Sequence, residues 1–183
     1  MPAPKTIRNP AAKNRTSARR PDAVALLRDD HAKVSALFEQ YEKSRSATKK
    51  QSLVATICRE LTIHAMVEEE IFYPAVKAAL KDKELVPEAI VEHSTLKEFI
   101  ARLDGKLPDG EWFDAQVKVM SEYVKHHVRE EQTEMFPKAR KTRLDMAELA
   151  KRIVGRKQEL MADPESLPKA PVAVSELPDE AAA

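Results

Sequence analysis

The sequence predicts an all-α protein, an antiparallel up-down-up-down four-helix bundle with a short extra C-terminal helix and disordered tails. Three observations predict it. Hydrophobic residues make up 43% and charged residues 33% of the 183-residue chain, with only 3 glycines and 5% aromatics, a mixture that suits helices and does not meet the β-branched and aromatic demand of strands. Four segments carry apolar residues at helical spacing. The connections between them are short, which makes successive long helices antiparallel neighbours.

The length suits one domain, assigned to residues 21–162, flanked by tails. Residues 1–20 hold Lys5, Arg8, Lys13, Arg15, Arg19 and Arg20 with no acid, interrupted by Pro2, Pro4 and Pro10. They read as a disordered basic arm. Residues 163–183, with Pro164, Pro168, Pro171 and Pro178 among Ala and Glu, read as a disordered acidic tail.

The first helix is expected from Asp22 to about Lys43, with Val24, Leu27, His31, Val34, Phe38 and Tyr41 on one stripe. The second runs from about Thr48 to Leu80 and turns Leu53, Ile57, Leu61, His64, Glu68, Ile71, Phe72 and Ala75 to one side, with a kink expected at Pro74. A third starts near Pro87 and ends before Gly105, placing Ile90, His93, Leu96, Ile100 and Leu103 on one face. The fourth spans about Glu111 to Lys138, with Phe113, Val117, Met120, Val124, His127, Glu131 and Met135 inward. A fifth, from about Asp145 to Met161, carries Met146, Leu149, Ile153 and Leu160 and is expected to pack on the outside of the bundle.

Several function classes are disfavoured. A formal net charge of +1 gives no field that implies nucleic acid or an anionic membrane as partner. No apolar run approaches a membrane span, and the N-terminus lacks the apolar segment of a secretory signal, so a cytoplasmic protein, monomer or homodimer, is expected. Cys58, the single cysteine, has no partner for an internal disulfide or a CxxC motif and reads as a buried core thiol.

The inward stripes carry the chemistry. A buried carboxylate or unpaired imidazole costs several kcal/mol unless compensated, yet His31, His64, Glu68, His93, His127 and Glu131 all fall on stripes that face the core. Each glutamate follows a histidine by four residues, so both side chains share one helical face a turn apart. The segments HAMVEEEIFYP, from His64 to Pro74, and HVREEQTEMFP, from His127 to Pro137, align without a gap. Both carry Glu at the fourth position after His, a bulky apolar residue at the eighth, an aromatic at the ninth and Pro at the tenth. Imidazoles and carboxylates around one cavity suit iron or manganese, and two carboxylates suit a pair of ions better than one. A ferritin-like site is disfavoured, because no Glu is followed three positions later by His.

The four-His pattern with two HxxxE elements, each trailing into an apolar-aromatic-Pro ending, resembles the hemerythrin or HHE cation-binding family over about Asp22 to Arg140. LLRDDHAKVSALF around His31 and VEHSTLKEFI around His93 resemble that family's first and third ligand segments. The resemblance implies a non-haem di-iron cofactor, oxo- and carboxylate-bridged, with His31, His64, His93 and His127 as terminal iron ligands and Glu68 and Glu131 as bridges. The partner it implies is a small oxidant (O2, peroxide or NO), bound or reduced in stress response or sensing. The alternative is iron binding for metal homeostasis without redox turnover. Oxygen-carrying members have a further histidine one turn after the third-helix ligand. Lys97 stands there and its ammonium cannot ligate, which argues against reversible oxygen carriage and for an open coordination position.

Around these residues the sequence suggests lesser roles. Glu69, Glu92 and Glu130 are candidate substitutes for the ligand that Lys97 does not supply, but their positions beside ligands are expected to point away from the inward face. His126 with Glu130 repeats the HxxxE spacing one residue out of phase and is the alternative ligand pair to His127 with Glu131; the alignment with His64 and Pro74 favours His127, and surface exposure is expected for His126. Tyr123, one turn before His127, is a candidate hydrogen-bond or electron donor, or a rim aromatic. Phe72 and Met135 are expected to line the cavity and exclude water.

Overall fold

The bundle is built from amphipathic helices whose starts and stops follow their sequence. In the computed structural model, which describes residues 22–81, 83–108 and 110–168, α1 spans Ala23–Lys43, with the Asp22 carboxylate accepting from Ala25 N–H. Helix α2 spans Ala47–Val67, capped in the same way by Ser46. It continues through a π-helical turn, Glu68–Phe72, into α3, Tyr73–Leu80. Helix α4 is Leu85–Leu103, and α5, Glu111–Glu130, runs through a second π turn, Glu131–Met135, into α6, Phe136–Arg140. Helix α7, Met146–Ala162, is capped by Asp145. All regular structure among the described residues is helical.

Each long helix packs on two others: α1 on α2 and α5, and α4 on α2 and α5. Helix α7 lies across α1 and α2 at one end and buries Leu149, Ala150, Ile153 and Leu160 there. At the start of the expected C-terminal tail, Pro164–Ser166 form a 3-10 turn and Leu167 packs partly buried on the core. The basic arm and the rest of the acidic tail lie outside the described residues.

Proline explains the two π turns. Pro74 and Pro137 lack an N–H, and their rings clash with the carbonyl four residues back. The helix accommodates this by widening: Tyr73 N–H reaches Glu68 O, and Phe136 N–H reaches Glu131 O, both five residues back. The expected kink at Pro74 is therefore a π turn, and the added residue rotates the face beyond it. Val76 is fully buried, whereas Ala75, placed inward by unbroken periodicity, is only partly so. Ile90 is the other departure, 42% exposed on α4.

The interior has three layers. One apolar cluster includes Leu27, Ile63, Val67, Phe72, Met135 and Phe136, under α7. The other, at the far end, includes Val34, Phe38, Leu61, Leu96, Val124 and Met120. The predicted histidines and glutamates lie between them, since His31 falls between Leu27 and Val34, and His93 between Ala89 and Leu96, of the two clusters.

Candidate metal centre

All six residues singled out by sequence converge in this middle layer, each 6% exposed or less. Ligand atoms of His31, His64, Glu68 and Glu131 lie within 4.8 Å of one another, as do those of Glu68, His93 and His127. His31 Nε2 is 3.0 Å from His64 Nε2, and His93 Nε2 is 3.2 Å from His127 Nε2. The two carboxylates join the two histidine pairs. Glu68 Oε2 lies 3.1 Å from His64 and 3.5 Å from His93, and Glu131 Oε2 lies 3.2 Å from His31 and 3.6 Å from His127.

Every ring turns Nε2 inward and is held from behind at Nδ1. His64 Nδ1 meets Asp30 at 3.3 Å, His93 Nδ1 meets Glu69 at 2.9 Å, and His127 Nδ1 meets Glu92 at 2.6 Å. His31 Nδ1 meets the Gln132 amide at 3.1 Å. Lys157 pairs with Asp30, and Lys97 with Glu69 at 2.7 Å. A partner on the far nitrogen fixes ring orientation and tautomer, which is how proteins prepare imidazole for ligation.

The residues fit a bound cation. Glu68 Oε1 is buried without a hydrogen-bond partner among the described residues, a costly arrangement for a carboxylate in an apolar interior. Ring nitrogens 3.0 Å apart cannot both carry a proton toward each other. Protons partly compensate. Burial opposes a charge on His64, but the Glu68 and Asp30 carboxylates outweigh it and raise the pKa from 6.5 to about 10. Burial likewise opposes charge on His127, and Glu92 and Glu131 push its pKa up. Glu131 is driven from 4.5 to about 2: burial alone would raise it, but the hydrogen bond from His31 and the charge of His127 prevail.

Sequence reasoning missed Asp30, Gln132 and, at the centre of the cluster, Tyr73. Its hydroxyl donates to Glu131 Oε1 at 2.9 Å and lies 3.2 Å from both Glu68 Oε2 and His93 Nε2. Burial, then the nearby Glu68 and Glu131 charges, raise its pKa well above 10, so the phenol keeps its proton. A signal existed, because Tyr73 aligns with Phe136 at the ninth position of the repeat and only Tyr73 has a hydroxyl. Phe136 instead stacks on His31, with centroids 5.8 Å apart.

Other expectations need correction. Glu69 and Glu92 do not point to solvent; Glu69 is part-buried and Glu92 buried, and their carboxylates hold His93 and His127. Tyr123 is half-buried and packs on Phe99. Phe72 and Met135 lie in the apolar layer under α7, whereas the cavity, about 10 Å³, opens on the opposite side between the four histidines and Val34, Leu61, Leu96, Val124 and Val128. His126 is on the surface as expected, its side chain 49% exposed.

Comparison with known proteins agrees with this geometry. The family model described as hemerythrin HHE cation binding domain matches residues 22–139. A crystal structure of an HHE cation-binding domain-containing protein from Mycobacterium kansasii shares the fold with a TM-score of 0.65 and 19% identity, covering 79% of this chain and 93% of that one. A Nostoc protein named DNA nickase is 31% identical over 111 residues, 61% of this chain, and the match spans only 31% of that relative. No helix among the described residues is long and apolar enough to cross a membrane. With the model spanning the whole bundle and the fold shared, the chain belongs to the hemerythrin HHE cation-binding domain family.

Proposed function

We propose that this chain is a non-haem di-iron protein that binds or reduces a small oxidant, namely O2, peroxide or NO, in stress response or sensing. The observation that carries the reading is the inward convergence of four Nε2 atoms and two carboxylates, with each Nδ1 held from behind. His31 and His64 would hold one ion and His93 and His127 the other, with Glu68 and Glu131 shared between them. An iron pair supplies the electrons and the coordination positions for a small oxidant.

The chain's own residues do the rest. The apolar side chains over the histidines exclude water, and a cavity of about 10 Å³ is close to the smallest space that admits one water-sized molecule, roughly 10–15 Å³. Tyr73 Oη holds a proton at the centre, within 3.2 Å of Glu68 and His93. Lys97 turns away to Glu69, so its ammonium neutralises a partner of His93 and does not enter the cluster. The DNA nickase name of the Nostoc relative does not carry over to this chain: the match covers 31% of that relative, and a net charge of +1 provides no steering field.

Stopped-flow mixing of the iron-loaded, reduced protein with each oxidant tests the reading. A rapid spectral change with at least one oxidant is expected. Iron that is retained but inert to all three would contradict the oxidant role and leave iron binding for homeostasis.

A further inference from the structure

The partners behind the four imidazoles differ in how their own charge is met. Asp30 is paired with Lys157 and Glu69 with Lys97, while Gln132 is neutral. Glu92 differs. It is 8% exposed, and its Oε2 accepts from His127 Nδ1 at 2.6 Å. Its Oε1 faces His126 Nε2 at 3.7 Å, beyond hydrogen-bond distance. His126 Nε2 lies 3.3 Å from Glu130 Oε1. Where a lysine stands beside Asp30 and Glu69, Glu92 meets an imidazole and a second carboxylate.

We propose that Glu92, His126 and Glu130 form a second, solvent-facing site for a divalent cation, and that ions reach the buried centre through it. Their ligand atoms lie within 4.8 Å of one another. One imidazole and two carboxylates suit Fe2+, Mn2+ or Zn2+, and the two carboxylates, neither paired with a lysine among the described residues, favour a cation between them. Three protein ligands leave the other positions to water, as befits an ion that binds and then leaves. His126 is half exposed, so the ion arrives from solvent. Glu92 is the link inward, because the carboxylate that would hold the surface ion also holds His127. The delivery role rests on the reading of the buried cluster as a metal centre; cation binding at the surface does not.

The test uses His126→Ala, Glu130→Gln and the double variant, with Glu92 left intact because it supports His127. Circular dichroism and thermal melting establish that each is folded. Mn2+ is titrated into iron-loaded protein, or into the protein as purified if it retains no iron, and bound ion is counted from the loss of the free-ion EPR signal. In parallel, metal-free protein is mixed anaerobically with Fe2+, and the rate at which iron becomes resistant to a chelator is followed. The wild type is expected to bind an additional Mn2+ with an affinity that falls tenfold or more in the double variant. Iron loading should slow by a similar factor with the same final iron content. No additional Mn2+ in the wild type overturns the site. Loss of Mn2+ binding with loading at the wild-type rate overturns the route. Surface Mn2+ in a protein that never retains iron overturns the buried-centre reading and the delivery role together, and leaves the surface site standing.

Discussion

The α1–α2 half and the α4–α5 half of the bundle present the same ligands in different surroundings. His31 and His93 open the two halves, and His64 and His127 begin the HxxxE elements. The residue before each opening histidine supports the second histidine of its own half: Asp30 holds His64, and Glu92 holds His127. The residue after each glutamate supports the opening histidine of the opposite half: Glu69 holds His93, and Gln132 holds His31. Against this symmetry, Tyr73 in one repeat corresponds to Phe136 in the other, and the charged Glu69 with its Lys97 corresponds to the neutral Gln132. His93 therefore sits among hydrogen-bonding and charged groups, whereas His31 is stacked on a phenyl ring. On the di-iron reading proposed above, the equivalent histidines would place one ion in each half, and the unequal neighbours would make the two positions react differently.

The largest effects come from breaking what the halves share. Glu68 and Glu131 each face a histidine of both halves, so Glu68→Ala and Glu131→Ala should each lose both ions, as read by metal analysis. Loss of one ion only would show that the halves bind independently. Metal loading itself should raise Tm by on the order of 10 °C, since free ligand at about 1,000 times Kd contributes about 4 kcal/mol and each kcal/mol shifts a domain of this size by roughly 2–4 °C. Calorimetry of loaded and metal-free protein checks it.

Smaller changes probe the differences. Glu92→Ala should weaken metal binding by roughly 10–100-fold, the usual effect of losing a partner behind a ligand, and Gln132→Ala should cost less because it carries no charge. Competition with a chelator measures both. Tyr73→Phe makes the two halves alike at the ninth position. It should leave metal content unchanged and destabilise the metal-free protein by about 1–3 kcal/mol in urea unfolding, the usual worth of a buried hydrogen bond to a charged group.

The pH profile is the gentlest test. In the metal-free protein the His64 pKa is raised from 6.5 to about 10, so its contribution is complete below 6.5 and is lost as pH rises through 10. Glu131 is depressed from 4.5 to about 2, so its contribution is complete above 4.5 and is lost as pH falls through 2. Stability from this pair should be greatest between 4.5 and 6.5 and decline toward alkaline pH. A bound ion displaces the His64 proton, so the alkaline decline should vanish on loading. Parallel curves for the two forms would contradict this.

Helical periodicity was enough to bring six polar residues to one layer, because stripes at 3.6 spacing are set by the local chain alone. It failed where long side chains or backbone irregularity intervene. Glu69 and Glu92 stand beside ligands at positions that periodicity reads as outward, yet both carboxylates reach histidines on neighbouring helices. Proline in the repeat announced a disturbance but not that a π turn would absorb it, so the inward face beyond Phe72 shifted by a residue. Tyr73 was visible as an aromatic in the repeat. Its hydroxyl gained meaning only once α2, α4 and α5 were seen to close around it.

The most direct test of the di-iron reading is the iron content per chain and absorption spectrum of protein purified aerobically, for the wild type and for His64→Ala combined with His127→Ala. Two irons per chain with a ligand-to-iron absorption band, both lost in the folded variant, is the predicted result. A wild-type protein that is folded, metal-free and unable to take up iron on anaerobic reconstitution would contradict it.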